Sequence, residues 1–297
     1  MPLRKGKIIR LEGVEGMDAY NPSVPFKIKK GESFIAVRVE KRDAFWKDKD
    51  YLPRTCFFAE VKENEVWKLA EGLPVFYMED PFVCFINDEL VLGGVEVFKK
   101  FGKHKFRTVF FKGKDIYNLK KFAAGPDMMK DIRLVELFDG KIGVFTRPQG
   151  GIYGKGRIGF KIINSLEELN DESKIWDAKI IRNHFCENEW EGTDEARVIE
   201  NGLVGVLAHR ALMDNQRNRY YKAITFTLDP QKMRVSSSKV IAKRSDFPEI
   251  RAKSSKLKNV IFPSGLKKKG SVYDLYVGVS DSASGVKEKI KNPYPTK

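Results

Sequence analysis

The sequence predicts an all-β protein, a single five-bladed β-propeller domain over residues 1–297. Three observations carry that expectation. Helical periodicity is scarce, hairpins with tight turns recur, and the hairpin strands return at a nearly constant interval. Only Ser165-Leu166-Glu167-Glu168-Leu169 reads as a helical turn, with Ser165 placed as its N-cap.

The hairpins follow in order along the chain. Phe82-Val83-Cys84-Phe85-Ile86 runs through Asn87-Asp88-Glu89 into Leu90 to Val97. Ile132 to Phe138 turns at Asp139-Gly140 into Lys141 to Arg147, and Glu195 to Glu200 turns at Asn201-Gly202 into Leu203 to Arg210. Asp-Gly and Asn-Gly between apolar strands mark two-residue hairpin turns, whose central residues both need positive φ. The second strand of this unit reappears as Ser33-Phe34-Ile35-Ala36-Val37-Arg38-Val39-Glu40 and as Tyr273-Asp274-Leu275-Tyr276-Val277-Gly278-Val279. Five copies thus begin near residues 33, 90, 141, 203 and 273, about 60 residues apart. A unit of that size with about four strands is the sequence mark of a propeller blade.

Composition narrows the function. The 297 residues carry 55 Lys plus Arg against 40 Asp plus Glu, a formal charge of +15, yet the bases are dispersed among the acids. The densest clusters, Lys267-Lys268-Lys269 and Lys99 to Lys105, fall where turns are expected, so the excess reads as a solvated lysine-rich surface and nucleic acid is not expected as a partner. No run of about 18 apolar residues is present. The segment Met1 to Lys7 lacks the apolar stretch of a secretory signal, and Cys56, Cys84 and Cys186 are widely spaced. A cytoplasmic protein with reduced thiols and no membrane association is the expectation. His104, His184 and His209 form no metal-ligand spacing with the cysteines, so neither metal nor cofactor is expected. Gly154 to Gly159 has dinucleotide-fingerprint spacing but leads into the strand-like Phe160-Lys161-Ile162-Ile163, and Gly265 to Ser271 lacks the Lys-Ser/Thr pair of a phosphate loop.

Chemistry is expected where acids recur in register. Glu79-Asp80-Pro81, Lys130-Asp131 and Asp194-Glu195 each precede or open the first strand of a blade. First strands line a propeller's channel, so Asp80, Asp131 and Glu195 are expected to converge at one mouth. Alternation sets Arg133 on the face of Asp131 and Arg197 on that of Glu195. Convergent carboxylates and arginines suit glycosidic chemistry, in which an acid protonates the leaving oxygen and polar groups hold ring hydroxyls.

Asn21-Pro22-Ser23, Val37-Arg38-Val39-Glu40, Glu79-Asp80-Pro81, Lys130-Asp131 and Tyr276 to Asp281 occur in an order that resembles glycoside hydrolase family 130, the mannoside phosphorylases and mannosidases of the furanosidase-type five-bladed group. Lys130 to Glu136, Gly143 to Gly150 and Arg244-Ser245-Asp246-Phe247-Pro248 resemble more closely an uncharacterised bacterial family, domain of unknown function 1861, of the same structural group. The resemblance spans nearly the whole chain. It implies Asp80 as the general acid, substrate contacts from Asn21, Arg38, Glu40, Arg133 and Asp281, and phosphate contacts from Lys130, Arg147 and His209. Phe82 departs from the family's pattern, which has Arg after Asp-Pro, and Glu195 adds a carboxylate that could serve as a second acid or base. The implied activity is cleavage of a glycosidic bond in a mannose-containing or related oligosaccharide, by phosphate or by water. The alternative is a non-catalytic propeller that binds a sugar or a protein.

Overall fold

In the computed structural model the described residues are 5–28, 31–45, 48, 51–61, 66–181 and 189–295. His184 and Cys186 lie outside them. The described residues are nearly all β: among them helix is confined to Glu172–Trp176 and short 3-10 turns, including Leu166–Asn170, where Glu168 accepts from the Ser165 N–H. No helix among the described residues is long and apolar enough to cross a membrane.

Among the described residues four sheets follow one another along the chain. The ten-stranded sheet holds Met17–Tyr20, Ser33–Lys41, Arg54–Val61 and Val66–Leu69 on one side, and Ile261–Lys269, Val272–Val279 and Ala283–Lys291 on the other. Its halves meet at a single parallel pair, Ala19 with Ala283, and Lys7–Ile8 also pairs with the last strand. A second sheet contains Glu79–Ile86, Glu89–Lys100, Lys103–Gly113 and Lys120–Ala124. The third contains Arg133–Glu136, Ile142–Thr146, Gly159–Ile163 and Lys179–Ile180. The fourth is built on Glu189–Val198, Val204–Met213 and Arg219–Asp229.

The second strands begin at residues 33, 89, 142, 204 and 272, each within one residue of the repeat read from the sequence. They read as near-continuous apolar runs because both faces are covered; Ile35 to Val39, Leu90 to Leu92 and Ile142 to Phe145 are buried throughout. The covering layers are apolar clusters wedged between consecutive sheets. Phe34 and Phe57 meet Val83 and Leu92; Phe82 and Phe110 meet Leu134 and Val144; Phe145 and Phe160 meet Val206 and Phe226. Leu207 and Ala223 then meet Leu275 and Val277, and Tyr276 and Val286 meet Ile35 and Val37. Among the described residues no backbone ladder joins one of the four sheets to the next, so these side-chain layers hold them together; each fully buried Phe contributes about 1.5–3 kcal/mol.

One turn and one strand start differ from the sequence reading. Asn87-Asp88 and Asn201-Gly202 do take positive φ at both positions (51° and 59°, 57° and 72°). At Asp139-Gly140 only the glycine does (φ 74°), and the Leu137 N–H donates to Lys141 O at 2.8 Å. This is the longer loop in which a right-handed turn is followed by a left-handed Gly, and it ends the strand at Glu136. The fourth sheet's first strand begins at Glu189 rather than Glu195, and its register slips between Thr193 and Glu195.

Candidate active site

Two cavities lie at opposite ends of the same strands. Glu79 and Asp80 line the first, while Phe82 to Phe85 of the same strand line the second. Lys130 lines the first and Arg133 to Glu136 the second; Phe262 lines the first and Leu266 to Lys268 the second. The first cavity, about 730 Å³, has a size suited to a small ligand.

Asp80 is buried at this first cavity with φ 50°. Its Oδ1 accepts from Asn21 Nδ2 at 2.7 Å and from Arg38 Nη1 at 2.9 Å. Arg38 stands among Asp80, Glu79 (3.2 Å) and Glu40 (3.2 Å), with its guanidinium 4.8 Å from the centre of the Tyr20 ring. Glu40 is itself fixed by the Tyr20 hydroxyl at 2.5 Å and by the buried Lys253, and the Tyr51 hydroxyl donates to Glu79. Burial disfavours a charge on Asp80, but Arg38, Lys130 and the hydrogen bonds from Asn21 and Arg38 prevail, and the carboxyl lies below its ordinary range. Asp281, on the same cavity, has the opposite balance. Burial, with Asp80 nearby, pushes its pKa up to about 6 against the pull of Arg38.

Asn21, Asp80, Asp131 and Asp281 all have left-handed backbones, with φ of 50°, 50°, 61° and 52°. Asn and Asp tolerate this conformation better than other side chains, and such residues gather at functional sites. Gly278 completes the support: a Cβ there would stand 1.6 Å from Asn21 Oδ1, so only glycine lets Asn21 reach Asp80.

Behind the cavity wall lies a second buried group. Asp131 is 3.2 Å from Arg147 Nη1 and 4.0 Å from His209 Nε2, and His209 Nδ1 is 3.0 Å from Asp194 Oδ1. Burial opposes the Asp131 charge, but Arg147, Lys130, His209 and Arg133 outweigh it and hold the pKa at about 2. Asp194 is pushed up to about 6 by burial despite His209. Both Asp131 oxygens and Arg147 Nη1 lack a hydrogen-bond partner. His209 stacks on Tyr221 (5.5 Å between ring centres) and packs on Phe262 (5.3 Å), and both aromatics line the first cavity.

The structure therefore brings together Asn21, Arg38, Asp80, Lys130 and Asp281 at one cavity, with Glu40 behind Arg38. It sets Asp131, Arg147 and His209 together one layer deeper, where Lys130 alone of the expected phosphate ligands lines the cavity. Glu195 and Arg133 depart from the expected convergence. Glu195 lines the opposite cavity, paired with Arg197 and accepting from Leu266 N at 2.5 Å, while Arg133 donates to the Asp194 and Ile132 carbonyls and stands over Phe82. The reason is the slip beside Asp194. That residue takes the inward acid position, and its neighbour points elsewhere. Sequence reading also missed Tyr51, Lys253, Arg219 and Tyr221. The first two support Glu79 and Glu40; Arg219 and Tyr221 line the cavity on the fourth sheet. A scattered Lys or Tyr gives no spacing signal, although the Asp and Asn residues before strands do.

The chain is similar to proteins of known structure. A mannose phosphorylase from Leishmania mexicana, solved with a phosphate ion, superposes with a TM-score of 0.88 at 34% identity, covering 98% of this chain and 89% of that one. A GDP-Man-dependent mannosyltransferase from Leishmania mexicana gives 0.87 at 31% identity, covering 98% and 91%. The β-1,2-mannobiose phosphorylase from Listeria innocua, at 18% identity, shares the fold with a TM-score of 0.69, covering 93% and 91%. No curated protein sequence matches the chain. Residues 1–296 match the family described as Protein of unknown function (DUF1861), and the chain belongs to that family.

Proposed function

We propose that this protein is a mannoside phosphorylase: it cleaves a mannosidic bond of an oligosaccharide with orthophosphate, in the first cavity of a single five-bladed propeller, in the cytoplasm. The observation that carries the reading is Asp80, a buried carboxyl hydrogen-bonded to Asn21 and Arg38, facing a cavity that Lys130 also lines. The 34% identity to a mannose phosphorylase bound to phosphate supports the substrate class. Five apolar clusters between successive sheets, the last joining the final strands to the first, support the blade count. Dispersed lysines give no reason to expect nucleic acid as a partner.

In this mechanism a phosphate oxygen attacks the anomeric carbon, the glycosidic C–O bond breaks, and the leaving oxygen takes a proton from Asp80, directly or through a sugar hydroxyl. The products are a mannosyl phosphate and a shortened saccharide. In the reverse direction the Asp80 carboxylate takes the acceptor's proton. Phosphate is already anionic and needs no general base, so one acid suffices. Lys130 holds the phosphate, and Asp131, Arg147 and His209 support the wall behind it. A phosphate dianion beside Lys130 cancels a charge that depresses the Asp80 pKa, so substrate binding itself favours the protonated acid. Asn21, Arg38 and Asp281 contact the sugar.

The test is to incubate the protein with manno-oligosaccharides and phosphate and to measure mannosyl phosphate. Asp80→Asn should lower the rate by about 10²–10⁴-fold, the usual worth of a general acid, while leaving phosphate binding intact. Full activity of that variant on an unactivated substrate would remove the assignment.

A further inference from the structure

The first cavity has an apolar wall that the chemistry above does not use. It belongs to the hairpin of Glu89–Lys100 and Lys103–Gly113 in the second sheet, where Val95, Val97 and Phe106 line the cavity, with Met128 beside them. Register sets the three on one face. Glu79, the chain neighbour of Asp80, lies opposite Val95; Val97 follows two residues on, and Phe106 lies directly opposite Val97. The Met128 N–H donates to Phe106 O at 2.7 Å, which seats the methionine against that strand. The hairpin's other face is charged and braced: Glu96 pairs with Arg107 and Lys121, each at 2.8 Å, and Arg107 lies over the Phe98 ring.

A hairpin that runs out into solvent ordinarily turns polar on both faces. Here burial falls steadily toward the turn: Val95 is buried, Val97 and Phe106 are half-buried, and residues 99–104 are exposed. The half-buried positions that face the cavity are nevertheless apolar. None of Val97, Phe106 and Met128 belongs to the apolar clusters between the sheets, so core packing does not account for them. The wall starts level with the catalytic carboxyl's neighbour and carries Val97 and Phe106 about 7 Å further out. In the phosphorolysis proposed above, Asn21, Arg38 and Asp281 hold the mannosyl ring and Lys130 the phosphate. The saccharide that takes the proton from Asp80 departs on the outward side, along this wall. A pyranose has a C–H face and a rim of hydroxyls, so a ring lying flat on Phe106 and Val97 buries its apolar face and keeps its hydroxyls toward water.

We propose that Val97 and Phe106, with Met128 at their edge, form the platform for the leaving sugar and so determine which leaving groups the protein prefers. The inference rests on Asp80 serving the bond between the two sugars.

The test compares phosphorolysis of a panel of mannobioses, spanning the linkages, with that of mannosyl fluoride, whose departing halide has no ring to place on the platform. Phe106→Ala should raise KM for the mannobiose that the parent cleaves by about tenfold, the worth of one partly buried aromatic contact. KM for phosphate and kcat/KM for mannosyl fluoride should stay within about twofold of the parent. General damage to the site would depress both substrates together. Phe106→Tyr keeps the ring and should keep the parent's KM. Val97→Thr keeps a strand-forming shape, should raise the mannobiose KM in the same sense, and serves should Phe106→Ala fold poorly. A mannobiose KM unchanged in both variants, or an equal loss on mannosyl fluoride, overturns the platform and leaves the phosphorylase reading standing. If the parent cleaves no mannobiose, that reading fails instead, and calorimetric titration with the same mannobioses decides the platform. Binding weakened by Phe106→Ala then upholds it; no binding, or binding indifferent to the substitution, overturns it.

Discussion

Replacing Asn21 by glycine should move the pH dependence of phosphorolysis. Asn21 Nδ2 donates to Asp80 Oδ1 at 2.7 Å, and glycine removes that donor while keeping the left-handed backbone (φ 50°) free of strain. A hydrogen bond to a charged group is worth about 1.5–3 kcal/mol, and one pKa unit corresponds to about 1.4 kcal/mol. The Asp80 pKa should therefore rise by about 1–2 units. The acid must be protonated to act, so the rate declines as pH passes its pKa, and that declining limb should shift upward by the same amount. Stability follows with a definite sign. Asp80 has a depressed pKa in the folded protein, so its contribution is present above the ordinary carboxylate pKa and is lost as pH falls through the folded value. The variant should thus be less stable at pH 7 and approach the parent in acid. The assay is kcat/KM for phosphorolysis across pH, paired with urea denaturation at neutral and acid pH. A limb that stays in place, or moves to lower pH, would refute the claim that Asn21 tunes the catalytic acid.

Lys130→Gln should raise KM for phosphate, because it removes the cavity's expected anion contact beside Asp80; initial rates at varied phosphate check this, and an unchanged KM would mean that phosphate binds elsewhere. Glu195→Gln should leave turnover within about twofold of the parent, an effect below 0.5 kcal/mol, because its carboxylate lines the opposite cavity; a loss comparable to Asp80→Asn would restore it to the reaction. Asp131→Asn leaves Arg147 without its buried partner and should lower stability by about 3–5 kcal/mol in denaturant titration. That contribution is complete above the ordinary carboxylate pKa and fades as pH falls toward about 2, so the gap between variant and parent should close in acid.

Much of the fold was legible because turn chemistry is local. Asn201-Gly202 and Asn87-Asp88 announce their hairpins through residues that tolerate positive φ, and the five second strands follow at regular intervals. The sheets on which Asn21, Arg38, Asp80 and Asp281 stand were likewise set by short-range pattern. What stayed hidden depends on register. A slip of one residue beside Asp194 exchanges the inward acid for its neighbour, and nothing in Trp190 to Glu195 reveals where the slip falls. Buried pairings such as Lys253 with Glu40 join residues far apart in the chain, and no spacing rule connects them.

The left-handed residues link these two levels. Asp80 and Asp131 sit where a chain segment enters an inner strand, Asn21 just past the end of Met17–Tyr20 and Asp281 in the turn between Val272–Val279 and Ala283–Lys291; at the first two the turn of the backbone carries the side chain out of the strand's alternation. At Asp80 the ladder with the next strand skips from Glu79 to Phe82, so Asp80 lies in the irregular stretch between them. An acid freed from the ladder can meet Arg38 and Asn21 from a neighbouring sheet, which a regular strand residue could not do without displacing the apolar layer beside it. The same device at Asp131 directs a carboxylate onto Arg147 and His209. A left-handed position tolerates few side chains. The site's chemistry is therefore fixed by backbone conformation before any substrate arrives, with the apolar clusters between the sheets holding that conformation in place.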